Sequence, residues 1–245
     1  MRDDATEILG APPPGALLFT CEHASNRVPS PWRLRPADRA LLATHWGYDI
    51  GARPLTIELA RLAGGTAALS RFSRLLIDPN RDPTDPSAVL QECDDGAPTF
   101  NRACHPSRDN RAAVHAERVK RFHAPFHDRL DRTITFRKPR FLCSVHSFTP
   151  VFRDDTRAME AGVLFDQHDD VAEGLLRALR AQGIKAEANE PYSGKAGLIY
   201  SANRHGTNHG LPYLEIEVRQ DLLASDRMAR DVARRVWSAL RAVGI

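Results

Sequence analysis

The sequence predicts an α/β fold: a three-layer α/β/α sandwich around a mostly parallel mixed sheet. Three observations predict it. Short apolar runs that suit strands alternate with longer amphipathic stretches that suit helices. No Gly/Ser linker, charge block or internal repeat divides the 245 residues, a length that fits one large domain. Hydrophobic residues make up 42% and charged ones 27%, the balance of an ordinary globular chain.

The elements follow in order. Residues 1–16, MRDDATEILGAPPPGA, carry acids, a proline run and no apolar signal core. They are expected to form an N-terminal extension whose first ten residues are mobile, ahead of a single domain over 17–245. ALLFTCEH (16–23) reads as a buried strand that ends in two polar groups. PADRALLATH (36–45) starts a helix with Pro36 in its first turn, and DIGARPLTIELARLAG (49–64) gives a second that stops at Gly64. TAALSRF and RLLIDPNR (66–81) read as strand material running into a polar turn. Residues 82–106 are a loop longer than usual connections, which hints at function. The stretch 109–136 is a long helix with an expected kink at Pro125. RFLCSVHSF (140–148) and AGVLFD (161–166) are apolar strands, and 170–183 is an amphipathic helix. SANRHGTNHG (201–210) reads as a Gly-rich loop. LPYLEIEVRQDL (211–222) alternates like a strand, and 225–244 closes the chain as a helix capped by Ser225 or Asp226.

Composition narrows the function. The net charge is +3 and the pI about 8.8, with arginine spread along the chain. Aromatic residues are only 7% and do not interleave with a basic stripe, so no nucleic-acid face is expected. No apolar run reaches the roughly 18 residues of a membrane span. Cys21 and Cys143 lie in apolar strands, and Cys93 and Cys104 in a polar loop. None forms C-x-x-C, which argues against a thiolate metal or redox motif and suits a cytoplasmic protein. Inside apolar runs, Cys21 and Cys143 are poor candidates for nucleophiles.

In parallel sheets ligands sit at the carboxyl ends of the strands. His23 and His146 each follow an apolar run, and neutral imidazole is the commonest ligand of Zn²⁺. A catalytic zinc takes three protein ligands and a water. The third is open between Glu22, which neighbours His23, and Asp49. Glu215 and Glu217 share one face of their strand, and Glu217 is the candidate general base. Arg219 shares that face as a salt-bridge partner or a substrate clamp. Arg74, Asp78, Asn80 and Arg81 suit a pocket for an acidic substrate, since arginine forks match carboxylates. Asp78 pairing with Arg81 to hold a turn is the other reading. Asn26 is a poor zinc ligand and is placed with the substrate-binding residues. His115, His123 and His127 read as helix packing or solvent contact, because no H-E-x-x-H glutamate accompanies them.

Five motifs in order, EHASNRVP, HWGYDIGA, SRFSRLLIDPNR, SVHSFTP and LPYLEIEVRQDL, resemble those of the N-formylglutamate amidohydrolase family over residues 17–224. The resemblance implies a sandwich fold of the phosphorylase/hydrolase-like kind, akin to the zinc carboxypeptidases. It implies hydrolysis of the amide C–N bond of N-formyl-L-glutamate or another small anionic acylated amino acid, the last step of one histidine-degradation route. It implies Zn²⁺ or another divalent metal on His23 and His146, water activation by Glu217, an oxyanion held by Arg219 or Arg74, and a carboxylate held by Arg74, Asn80 and Arg81. The chain departs from the H-x-x-E of the carboxypeptidases, with Asn26 at the glutamate position. A catalytically impaired carboxylate-binding protein of the same fold is the alternative. A monomer or homodimer is expected, with no nucleic-acid or membrane partner.

Overall fold

A computed structural model describes residues 5–30, 34–93, 96, 98–101 and 108–245. In chain order the elements are β1 (Thr6–Leu9), β2 (Leu17–Cys21), α1 (Pro36–Leu42), α2 (Ala52–Ala63), β3 (Thr66–Ser70), α3 (Arg108–Arg118) and α4 (Ala124–Arg137). Then come β4 (Phe141–Phe148), β5 (Val151–Phe152), β6 (Asp155–Thr156), β7 (Ala161–Leu164), α5 (Asp169–Ala181), β8 (Ala186–Ala188), α6 (Tyr200–His209), β9 (Tyr213–Arg219) and α7 (Asp226–Ala242). Among the described residues, one sheet runs β1-β3-β2-β4-β9-β7-β8. Its centre, β3-β2-β4-β9, is parallel. β1 is antiparallel to β3 at one edge, and β7 is antiparallel to β9.

Side-chain alternation assigns the two layers. Along β9, Leu214, Ile216 and Val218 join a core with residues of α2, α5 and α7. Tyr213 faces the other side, in a core with Phe126, Leu130 and Ala202 from α4 and α6. α7 buries Ala229, Val232, Ala233, Val236, Ala239 and Leu240 on one stripe, and the Ser225 hydroxyl caps it on the Met228 N–H. The three-layer α/β/α sandwich expected from the alternating pattern is the fold observed. No helix among the described residues is long and apolar enough to cross a membrane.

Four expectations change. The N-terminal extension contains β1, so the sheet begins before residue 17; residues 1–4 lie outside the described residues, as does Cys104. Residues 74–81 form turns rather than a strand: Leu75, Leu76 and Ile77 are all buried in succession, and Asp78 Oδ1 accepts from the Asn80 N–H at 2.8 Å. A helix stands where 201–210 suggested a loop. Its Gly206 is required by packing, because a Cβ there would come within 1.9 Å of the Tyr213 ring. The long helix runs on through a π-helical turn, Val119–His123, placed just before Pro125, and this wider turn accommodates the proline ring and its missing N–H.

Candidate metal and catalytic centre

β2 and β4 are parallel neighbours, with Thr20 opposite Ser144, so they deliver their ends to one rim. β2 stops at Cys21, and Glu22 and His23 leave the pleat there. β4 runs further and carries His146 past that point, beside Glu217 of β9. The two imidazoles meet edge to face, with centroids 4.6 Å apart. Their Nδ1 atoms are separated by 3.1 Å. Asp49, from the turn before α2, places Oδ2 at 2.8 Å from His146 Nδ1 and 3.3 Å from His23 Nδ1. Its own N–H donates to the His23 carbonyl at 3.0 Å, and its Oδ2 also accepts from the Ser147 N–H at 3.2 Å.

Hydrogen bonds on the far side of each ring decide what this cluster can hold. His23 Nε2 donates to Asp78 Oδ1 at 2.7 Å, and His146 Nε2 donates to Glu22 Oε2 at 3.0 Å. A neutral imidazole has one N–H, so both Nδ1 atoms then present lone pairs. Two lone pairs and a carboxylate oxygen, all buried and about 3 Å apart, repel one another unless a positive charge sits among them. Ligands at ~2.0–2.1 Å around a tetrahedral zinc stand roughly 3.3 Å apart, so the donor set fits a divalent ion. Carboxylates behind both rings fix their orientation and raise their basicity. The same demand shows in His146: burial acts to lower its pKa, yet Glu215, Asp49 and Glu22 drive it well above the ordinary imidazole value. Burial works against ionised Asp49 too, and His23 and His146 hold it far below the carboxylate range.

Glu22 also accepts from the hydroxyls of Ser144 and Ser201, each at 2.7 Å. Against the opposing effect of burial, His146 and these hydroxyls bring its pKa to about 2. Asp78 is held by Arg74 Nη2 at 2.6 Å. Asn80 bridges Glu215, through Nδ2 at 3.2 Å, and the Ser201 N–H, through Oδ1 at 2.9 Å. Glu217 differs from its neighbours: its Oε2 is buried with no hydrogen-bond partner among the described residues. Burial pushes Glu217 up to about 7 and Glu215 up to about 8. A carboxyl in that range exchanges protons near neutral pH, as a general base must. His23, Asp49, His146, Glu215 and Glu217 line a cavity of about 270 Å³ that Arg74, Arg81, Tyr192 and Leu198 help enclose. Ser87 and Leu90 line it too, so part of the long 82–106 segment borders the site. Arg81 makes no side-chain hydrogen bond or ion pair among the described residues.

Residues 15–224 match the family model of N-formylglutamate amidohydrolase. The chain belongs to this family of hydrolases. Among solved structures it is similar to a gene product of Agrobacterium tumefaciens, Atu2144, at 27% identity and a TM-score of 0.87, covering 99% of this chain and 96% of that one. It is also similar in fold to an N-formylglutamate amidohydrolase from Ralstonia eutropha JMP134, at 17% identity and a TM-score of 0.70, covering 98% and 97%. No curated protein matches the chain.

Within this amidohydrolase fold, the residues chosen from sequence fall into three groups. His23, His146 and Asp49 converge, and Arg74, Asp78, Asn80, Arg81 and Glu217 line the same cavity. Glu22 does not face the metal position: it stands behind His146, so Asp49 is the carboxylate of the cluster. Asp78 likewise stands behind His23, its oxygens committed to His23, Arg74 and Asn80 rather than open to a substrate. Asn26 and Arg219 lie outside. Asn26 is exposed on the loop after β2 and does not line the cavity. Arg219 turns away to Asp221, at 2.8 Å, and to the carbonyls of Arg157 and Met159, both at 3.1 Å. Sequence reasoning missed Ser144 and Ser201. Ser144 was findable, being two residues before His146 on the same strand face. Ser201 was not, because the stretch around it reads as a loop.

Proposed function

We propose that the protein is a divalent-metal-dependent amidohydrolase that cleaves the amide C–N bond of a small N-formyl or N-acyl acidic amino acid, with N-formyl-L-glutamate as the reference substrate. One observation carries the reading: a buried Glu217 whose Oε2 has no hydrogen-bond partner among the described residues, beside the His23–His146–Asp49 donor set. An ion held by those three residues, zinc being the best match to the donors, supplies Lewis acidity to the carbonyl and lowers the pKa of water. Glu217 Oε2 takes the proton of the attacking water and passes it to the departing amine. Arg74 lines the cavity and offsets negative charge that develops on the carbonyl oxygen. Arg81, whose side chain forms no hydrogen bond or ion pair among the described residues, binds the carboxylate of the substrate. A cavity of about 270 Å³ suits a molecule of amino-acid size.

The non-catalytic alternative rested on Asn26 in place of a glutamate ligand. Asp49 offers the missing carboxylate, and a binding protein would have no use for an unpaired buried Glu217. The test is chelation of the untagged protein followed by assay of amine release from N-formyl-L-glutamate. Activity should vanish and return when zinc, cobalt or manganese is restored. Full activity after complete metal removal would refute the proposal.

A further inference from the structure

A second cluster lies further along α6, toward its C-terminal end. His205 and His209 are four residues apart on that helix, hence on one face. Asp131, on α4, sends Oδ1 between them, 2.9 Å from His205 Nδ1 and 2.9 Å from His209 Nε2. All three donor atoms lie within 4.8 Å of one another.

The wiring behind His205 repeats the logic of the catalytic cluster. His127 Nε2 can only donate to the Pro79 carbonyl, 3.0 Å away. A neutral His127 therefore accepts at Nδ1, where His205 Nε2 approaches at 2.9 Å and donates. In that tautomer His205 Nδ1 is a lone pair beside a carboxylate oxygen, the arrangement a cation needs. His127 and His205 are both buried, which disfavours an extra proton to bridge the gap. Arg204 attends the same group: Nη2 is 3.3 Å from Asp131 Oδ2, and Nη1 is 3.2 Å from His205 Nε2. It engages the other carboxylate oxygen and leaves Oδ1 to a cation; because Nη1 can only donate, the metal-free His205 can instead carry its proton on Nδ1 toward Asp131, and a bound ion selects the tautomer that donates to His127.

We propose that Asp131, His205 and His209 form a second divalent-cation site, suited to zinc or nickel, that ties α4 to α6 on the surface. Imidazole and carboxylate select such borderline ions over magnesium or calcium. Half-exposed His209 provides the entry, and solvent completes the coordination. The ion would brace the helix whose first turn carries Ser201, the residue that holds Glu22 and Asn80. The like charge of Arg204 makes this the weaker of the two sites, so a chelator should empty it first.

The experiment is equilibrium dialysis of the untagged full chain against zinc, followed by metal quantification. Wild type should hold about two ions per chain, and His209→Ala and His209→Gln about one each. Zinc should also raise the unfolding temperature of wild type more than that of either variant. The same stoichiometry in wild type and in both variants overturns the second site. One ion in wild type and none in the variants supports it while removing the catalytic metal instead, so the two readings fail separately.

Discussion

The two histidine clusters share a plan and differ in what surrounds it. Each has two imidazoles converging on one carboxylate oxygen, and in each a partner on the far side of a ring can take the ring's proton, freeing the facing nitrogen for an ion. The His23–His146–Asp49 set is buried throughout and opens into a cavity that also holds Glu217, whose Oε2 has no hydrogen-bond partner among the described residues. The Asp131–His205–His209 set grades from buried to exposed, with Asp131 as its one carboxylate just as Asp49 is in the first set. Arginine marks the contrast again. Arg204 is spent on Asp131, whereas Arg81 stands in the cavity with no side-chain partner among the described residues. Donor geometry could therefore take a cation in both, but only the first stands beside groups that the proposed function uses as a base, Glu217, and an anion clamp, Arg81. That addition separates a hydrolytic centre from a structural tie.

The largest expected effect comes from removing the base. Glu217→Gln keeps the shape and should lower kcat for N-formyl-L-glutamate by about 10²- to 10⁴-fold, with bound zinc unchanged. Near-normal turnover in this variant would place the base elsewhere, with Glu215 the next candidate. Arg81→Ala tests the anion clamp. Losing a hydrogen bond to a charged group costs about 1.5–3 kcal/mol, so KM for the acidic substrate should rise about 10- to 100-fold. An N-formyl neutral amino acid should show no such rise. Equal losses on both substrates would mean that Arg81 supports the fold rather than reading the carboxylate.

What the sequence disclosed follows from where the information lies. Periodicity is local, so β2, β4, β9 and the helices α2, α5 and α7 could be read from residue spacing. A strand that ends in a polar residue at a parallel-sheet rim is a local signal too, and it found His23 and His146. The choice between Glu22 and Asp49 was not local. It depends on β2 stopping at Cys21, so that Glu22 swings behind a ring 124 positions away. Alternation on β9 correctly put Glu217 on the cavity side. It misled for Arg219, because the last residue of a strand is free to turn toward Asp221 and nearby carbonyls. The α6 helix was hidden by Gly206, whose lack of a side chain serves the Tyr213 ring in a different element.

The smallest expected effect tests the surface cluster without any metal. Without an ion, partial burial acts to raise the pKa of Asp131, but N–H donation from His205 and His209 and the charge of Arg204 together hold it below the ordinary carboxylate value. A carboxyl whose folded value is depressed stabilises the native state fully above its unfolded value, roughly 3.9, and loses that contribution as pH falls through the folded value. Asp131→Asn removes the charge and hence this dependence. In chelator, the variant should therefore melt below wild type at about pH 6, and the gap should narrow steadily below roughly pH 4. A third of the Asp131 side chain is exposed, so solvent screening keeps the shift to a few degrees at most. A gap that stays constant across this range would mean that Asp131 acts through packing, and that the resemblance between the two clusters is one of shape rather than of charge.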